Sequence, residues 1–208
     1  MRQPLPVEPS PLEEGDELFA QEQYSAALSQ YQQQERLART DDLRDRARFK
    51  QALCLVEMDE SLQATQMLES IAGSEDKRLQ VLAASQLWLL YLQAADYDAA
   101  EHVFESLESQ FDFDQLAMLI PETDRRAIIQ RTYQNTTGLN LFQFSVEDLR
   151  FLERAHHMAN LLESRGQPQQ FGMRTWQLLR AYHATGEIDN GIQLARRYLA
   201  SQFKLQSD

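Results

Sequence analysis

The sequence predicts an all-α protein, a solenoid of about five consecutive helical hairpins, and three observations carry that expectation. Only seven Gly and six Pro interrupt 208 residues, which argues against turn-dense β architecture. After Leu12, apolar residues recur at three- and four-residue spacing almost to the end of the chain, the mark of successive amphipathic helices. An internal period accompanies them: the small residues Ala27, Ala64, Ala100, Ala155 and Gly191 sit in similar local frames, at separations of 37, 36, 55 and 36. Twelve residues before four of these stand Gly15, Ala52, Trp88 and Leu179, each on a preceding helix, so every period holds two helices.

Taken in order, residues 1–11 (MRQPLPVEPSP) hold four of the six prolines and read as a Pro-rich flexible leader, either a true N-terminus or part of a linker. Residues 12–208 read as a single helical repeat domain with units near 12–36, 41–71, 77–109, 115–164 and 168–204. Breaks near Arg39 to Asp42, Asp59 to Ser61, Gly73 to Asp76, Ala95 to Tyr97, Thr136 to Ser145, Gly166 to Gln170 and Gly186 to Asp189 separate the helices. A lone helix of about 12 to 15 residues is marginal in water, so each pair needs a neighbour to cover its apolar stripe. In the third unit, Leu79 to Ala94 leaves no polar face and is expected to be buried all round. The fourth unit is the irregular one. Pro121 suits the first turn of a helix, Ser145-Val-Glu-Asp148 offers a capping box for the helix carrying Ala155, and a long connection from Thr136 to Phe144 lies between them.

The period resembles the tetratricopeptide repeat (TPR), a helix-turn-helix unit of about 34 residues whose small residues let paired helices approach closely. The best match is Leu92-Gln-Ala-Ala-Asp-Tyr-Asp-Ala-Ala-Glu-His-Val-Phe104, with Asp96 and Tyr97 in the turn, Ala100 at the tight contact and Phe104 as core aromatic; Gly15, Tyr24, Ala27 and Tyr31 supply the same set in the first unit. The units run slightly long, the family's terminating proline is missing, and Trp88 and Leu179 stand where a small residue is usual. The resemblance implies a right-handed α-solenoid of TPR-like units acting as a non-catalytic scaffold that binds a peptide or helix in an apolar concave groove. If the first helix of each unit lines that groove, its candidate residues are Phe19, Phe49, Leu53, Val56, Leu82, Leu89, Leu92 and Trp176. The other reading open for each is plain core. The carboxylate clamp of some family members does not match here: Arg46 and Lys50 share a helix, but neighbouring units offer Glu13, Asp16, Leu82 and Ser85, so both cations are expected to pair with nearby acids.

The connection adds Leu139, Leu141, Phe142 and Phe144, four large apolar residues in a segment too irregular for helix. One reading folds this insertion loop over the groove; a rival has it recruit a partner itself. An alternative function follows from the first, a regulatory sensor binding a small apolar ligand or peptide beneath the loop.

A formal charge of -12 opposes nucleic acid as a partner, and no stretch approaches the roughly 18 apolar residues of a membrane span. Nine acidic residues and no Lys or Arg lie between Leu79 and Asp124, a solvated face or a steering surface for a basic partner. Catalytic motifs are lacking, and no cofactor or metal is expected: His156 and His157 point about 100 degrees apart on a helix, and Cys54 reads as a buried small hydrophobe. Self-association through Ile188 to Phe203, with Ile192, Leu199 and Phe203 in excess of what a core needs, is a further expectation. The compartment expected is cytoplasmic if Met1 is the native start, and otherwise periplasmic or part of a larger exported or membrane-anchored protein.

Overall fold

The computed structural model describes residues 11–134, 144–162 and 168–205, with side chains over 11–133, 144–162 and 172–200. Among these residues there are eleven helices and no strand. The chain is therefore all-α, as its periodicity predicts. It divides into two compact units, Met1–Leu87 and Trp88–Asp208.

The first unit holds α1 (Glu13–Ala20), α2 (Tyr24–Leu37), α3 (Asp41–Glu57), α4 (Ser61–Ile71) and the first part of α5 (Lys77–Gln93). α2 packs against both α1 and α3, and α3 against α4. Its core gathers Leu12, Ala27, Tyr31, Ala47 and Cys54, with Leu18, Phe19, Leu28 and Leu43 packed around them. The α1–α2 contact is close because Gly15 lacks a side chain: a β-carbon there would stand 2.4 Å from Tyr31 Cε1. Tyr31 is fully buried and donates its hydroxyl to Asp16 at 2.6 Å. Burial and that carboxylate push its phenol well above the ordinary range. Lys50 reaches the same Asp16 at 2.8 Å, and Arg46 pairs with Asp42 at 3.0 Å. Between α2 and α3, Glu35 accepts from Arg48 at 2.6 Å and from the buried Gln51 at 2.7 Å.

The second unit holds the rest of α5, then α6 (Tyr97–Gln110), α7 (Phe113–Leu119), α8 (Glu122–Gln134), α9 (Val146–Leu162), α10 (Pro168–Thr185) and α11 (Ile188–Leu205). α9 touches α6, α7, α8 and α10, and α10 carries α11. Arg154 fastens α9 to α6, donating to the Tyr97 carbonyl at 3.1 Å and pairing with Glu101 at 3.3 Å. The buried Arg125 of α8 donates to the Ile120 carbonyl at 3.2 Å and to the Leu162 carbonyl at 2.9 Å, satisfying carbonyls at the ends of α7 and α9. Tyr182 of α10 donates to Glu153 of α9 at 2.6 Å.

Four hairpin turns share one hydrogen-bond pattern. After α1, α3, α5 and α10, the helix ends on a residue with positive φ, namely Glu22 (60°), Asp59 (62°), Ala95 (57°) and Gly186 (81°). In each, the next amide reaches back five residues: Gln23 to Leu18, Glu60 to Leu55, Asp96 to Tyr91 and Glu187 to Tyr182, at 2.8–3.0 Å. This is the Schellman arrangement, and it reverses the chain in three residues or fewer. Only the last uses glycine; the other three hold a side chain in the left-handed region, at an energetic cost.

In chain order the helices run α1–α2, α3–α4 and α5–α6, then three in succession, α7, α8 and α9, and finally α10–α11. The short α7 is opened by a reciprocal cap, with Asp112 accepting from the Gln115 amide at 2.8 Å and Gln115 accepting from the Asp112 amide at 2.9 Å. The cap foreseen at Ser145 and Asp148 forms, its two backbone-to-side-chain bonds measuring 2.7 and 3.1 Å. From Leu79 to Leu92 no residue of α5 is exposed, as a helix without a polar face requires.

Candidate interaction surface

The small residues of the period occupy helix contacts: Ala27, Ala52, Ala64 and Ala100 have no accessible surface, and Ala155 almost none. Around these contacts the expected groove residues separate by burial. Phe49, Leu89 and Leu92 are buried and belong to the core, the other reading that their sequence left open. Phe19, Leu53, Val56 and Leu82 are half-buried, and Phe19 stacks edge-on against Tyr24 with centroids 5.3 Å apart. Trp176 alone of the eight is exposed. Of the expected insertion loop, Leu139, Leu141 and Phe142 lie outside the described residues. Phe144 packs against a cluster of Leu149, Leu152, Leu178, Ala181 and Tyr182 from α9 and α10.

Exposed large apolar residues concentrate on one hairpin. Of nine such side chains among the described residues, five belong to α10 and α11: Met173 (68% exposed), Trp176 (57%), Ile188 (47%), Ile192 (44%) and Leu199 (53%). Helix geometry gathers them on one side. Where α10 meets α11, a β-carbon on Gly172 would lie 2.9 Å from the Tyr198 hydroxyl, and one on Gly191 would lie 3.3 Å from Tyr182 Cβ. Those contacts set the antiparallel register. At 100 degrees per residue, Thr175, Leu178 and Tyr182 of α10 and Leu194 of α11 then face the α9 side. Met173, Trp176 and Arg180 turn to the opposite side of the hairpin, as do Ile188, Ile192 and Leu199. The Arg180 guanidinium lies over the Trp176 ring, 4.7 Å from its centroid. The exposed Asp189 lies near the start of α11 and the exposed Arg196 near the Leu199 end, on the same flank of the stripe, so charge reverses along it; Arg197 instead acts on His156 and Tyr182 on the α9 side.

Met173 was not among the residues expected from sequence. Its signal was available: it precedes Trp176 by one helical turn, off the stripe formed by Thr175, Leu178 and Tyr182.

The remaining reactive groups sit in settled surroundings. Burial pushes the Cys54 thiol up to about 11, against the opposing pull of Lys50, so the thiolate nucleophile is suppressed. His156 is buried and held down to about 4, first by burial and then by the charges of His157, Arg174 and Arg197. His157 is exposed, its ring 5.8 Å from that of Phe104. Among the described residues no group of three or more His, Cys, Asp or Glu is placed to hold a metal ion, and no helix is long and apolar enough to cross a membrane.

No protein-family model matches the chain, and no curated protein matches it. Among solved structures it is similar to BtubC (BKLC) from P. vanneervenii, at 18% sequence identity and a TM-score of 0.44, over 94% of this chain and 76% of that one.

Proposed function

We propose that the chain is a non-catalytic protein-interaction scaffold, a right-handed α-solenoid of TPR-like helix-turn-helix units that takes a peptide or amphipathic helix against an apolar surface. The observation that carries the reading is the α10–α11 face, where Trp176 stands exposed among Met173, Ile192 and Leu199. An exposed apolar patch of this kind marks an interaction surface. Recurrence of one turn geometry at Glu22, Asp59 and Ala95, 37 and 36 residues apart, supports the repeat architecture. Trp is also the residue type most often found at the centre of a binding hot spot.

Selection of helical peptides from a displayed library, followed by affinity measurement, tests the reading. Binders are expected to lose about 30-fold in affinity on Trp176→Ala, the scale of a hot-spot residue worth about 2 kcal/mol. Leu62→Ala, an exposed apolar substitution in the first unit, should leave them unchanged. Selection of no peptide, or of peptides indifferent to Trp176→Ala, would refute the proposal.

A further inference from the structure

We infer that the α10–α11 face pairs with a second copy of this chain, as an antiparallel four-helix contact about a two-fold axis. The inference rests on the interaction surface proposed above and names its occupant.

A two-fold interface must be self-complementary, because residue i meets j and j meets i. The α11 stripe has that property. Its members Ile188, Ile192, Ala195 and Leu199 are spaced symmetrically about the point between Gln193 and Leu194. Turned end for end, Ile188 falls on Leu199 and Ile192 on Ala195. Charge follows the same symmetry: the exposed Asp189 near the start of α11 comes to lie toward the exposed Arg196 of the other copy, both on the same flank of the stripe. Antiparallel pairing also sets each helix's positive end beside the other's negative end.

The flanking helix obeys the same axis. The contacts of Gly172 with Tyr198 and of Gly191 with Tyr182 place Leu178 of α10 opposite the midpoint of the α11 stripe. About Leu178, Trp176 and Arg180 are symmetric partners. The guanidinium that covers its own indole at 4.7 Å therefore lies opposite the indole of the second copy, where each Trp176 meets an Arg180 across the axis. A foreign helix would need none of these coincidences; a second copy requires all of them.

Sedimentation equilibrium of the full chain tests the inference, with far-UV circular dichroism confirming that each variant remains helical. The wild type is expected to approach twice 24.1 kDa as concentration rises to about 100 µM, above the micromolar range of weak specific contacts. Leu199→Glu and Trp176→Ala, both at exposed positions, are expected to shift the dimer dissociation constant upward by tenfold or more. Asp189→Arg alone should weaken the pair, and Asp189→Arg combined with Arg196→Glu should restore it, because reversing both charges keeps the ends complementary. A wild type that stays at 24.1 kDa throughout, or a dimer unmoved by Leu199→Glu and Trp176→Ala, overturns self-pairing. Selected peptides that bind a monomeric wild type in a Trp176-dependent manner would overturn self-pairing while sparing the scaffold reading. A Trp176-dependent dimer for which no peptide is ever selected would do the reverse.

Discussion

Replacing Gly15 by alanine adds one methyl group where α1 crosses Tyr31, and the structure sets the size of the consequence. The new β-carbon would lie 2.4, 2.8 and 2.9 Å from Cε1, Cδ1 and Cζ of the ring, against an optimal carbon separation of about 3.5 to 4.0 Å. Relief requires a displacement of roughly 1 Å. The ring is fully buried and its hydroxyl is held by Asp16 at 2.6 Å, so it cannot swing away without loss. Overpacking of this kind costs about 1 to 3 kcal/mol, and loss of the hydrogen bond about 1 kcal/mol more. The better helix propensity of alanine returns about 0.5 to 1 kcal/mol, leaving a net destabilisation of about 1 to 3 kcal/mol. Urea unfolding followed by circular dichroism reads the change, with Gly73→Ala as control because nothing lies within 4 Å of a β-carbon there. A Gly15→Ala protein as stable as the wild type would refute the claim that the first hairpin depends on this close approach.

The turns give an opposed pair: Ala95→Gly should stabilise by about 1 kcal/mol, and Gly186→Ala should destabilise by about as much, since both residues hold positive φ and nothing crowds a β-carbon at Gly186. Equal unfolding midpoints for the two variants would remove the backbone argument. His156 takes up a proton more readily unfolded, at an ordinary value of 6.5, than folded at about 4. Its contribution to stability is therefore complete above about pH 6.5 and is lost as pH falls toward about 4, by up to about 3 kcal/mol. His156→Leu should flatten the urea midpoint across that window, and an unchanged pH profile would count against it. Arg125→Met should cost about 2 to 4 kcal/mol by stranding the Ile120 and Leu162 carbonyls; Arg125→Lys should recover only part, because a single ammonium nitrogen lacks the planar fork whose two nitrogens reach the two carbonyls. Hydrogen exchange at the ends of α7 and α9 checks this, with full rescue by lysine as the contrary result.

Helices and most of their ends were legible in the residues because the governing forces are local. Apolar spacing along Asp41–Glu57 or Lys77–Gln93 reports a helix whatever lies beside it. Small residues twelve positions apart report two helices that touch. The turn at Glu22 escaped, since no glycine or proline announces it, and so did the separate seven-residue helix that the Asp112 capping box opens. Splitting the fourth span into α7, α8 and α9 follows from that cap together with Ile120 and Pro121, which end one helix and begin another.

Sequence by itself determined that the chain is helical, where the hairpins at Asp59, Ala95 and Gly186 reverse, and that Leu79 to Leu92 must be covered on every side. Tertiary structure alone decided which apolar side chains meet water. Phe49, Leu89 and Trp176 carry the same pattern along their helices, yet two are core and one is exposed. An amphipathic stripe states that a surface wants cover; which surface receives it depends on helices brought together from distant parts of the chain. The closeness of Gly172 to Tyr198 and of Gly191 to Tyr182 orients the last hairpin and turns Trp176 and Leu199 to the same side.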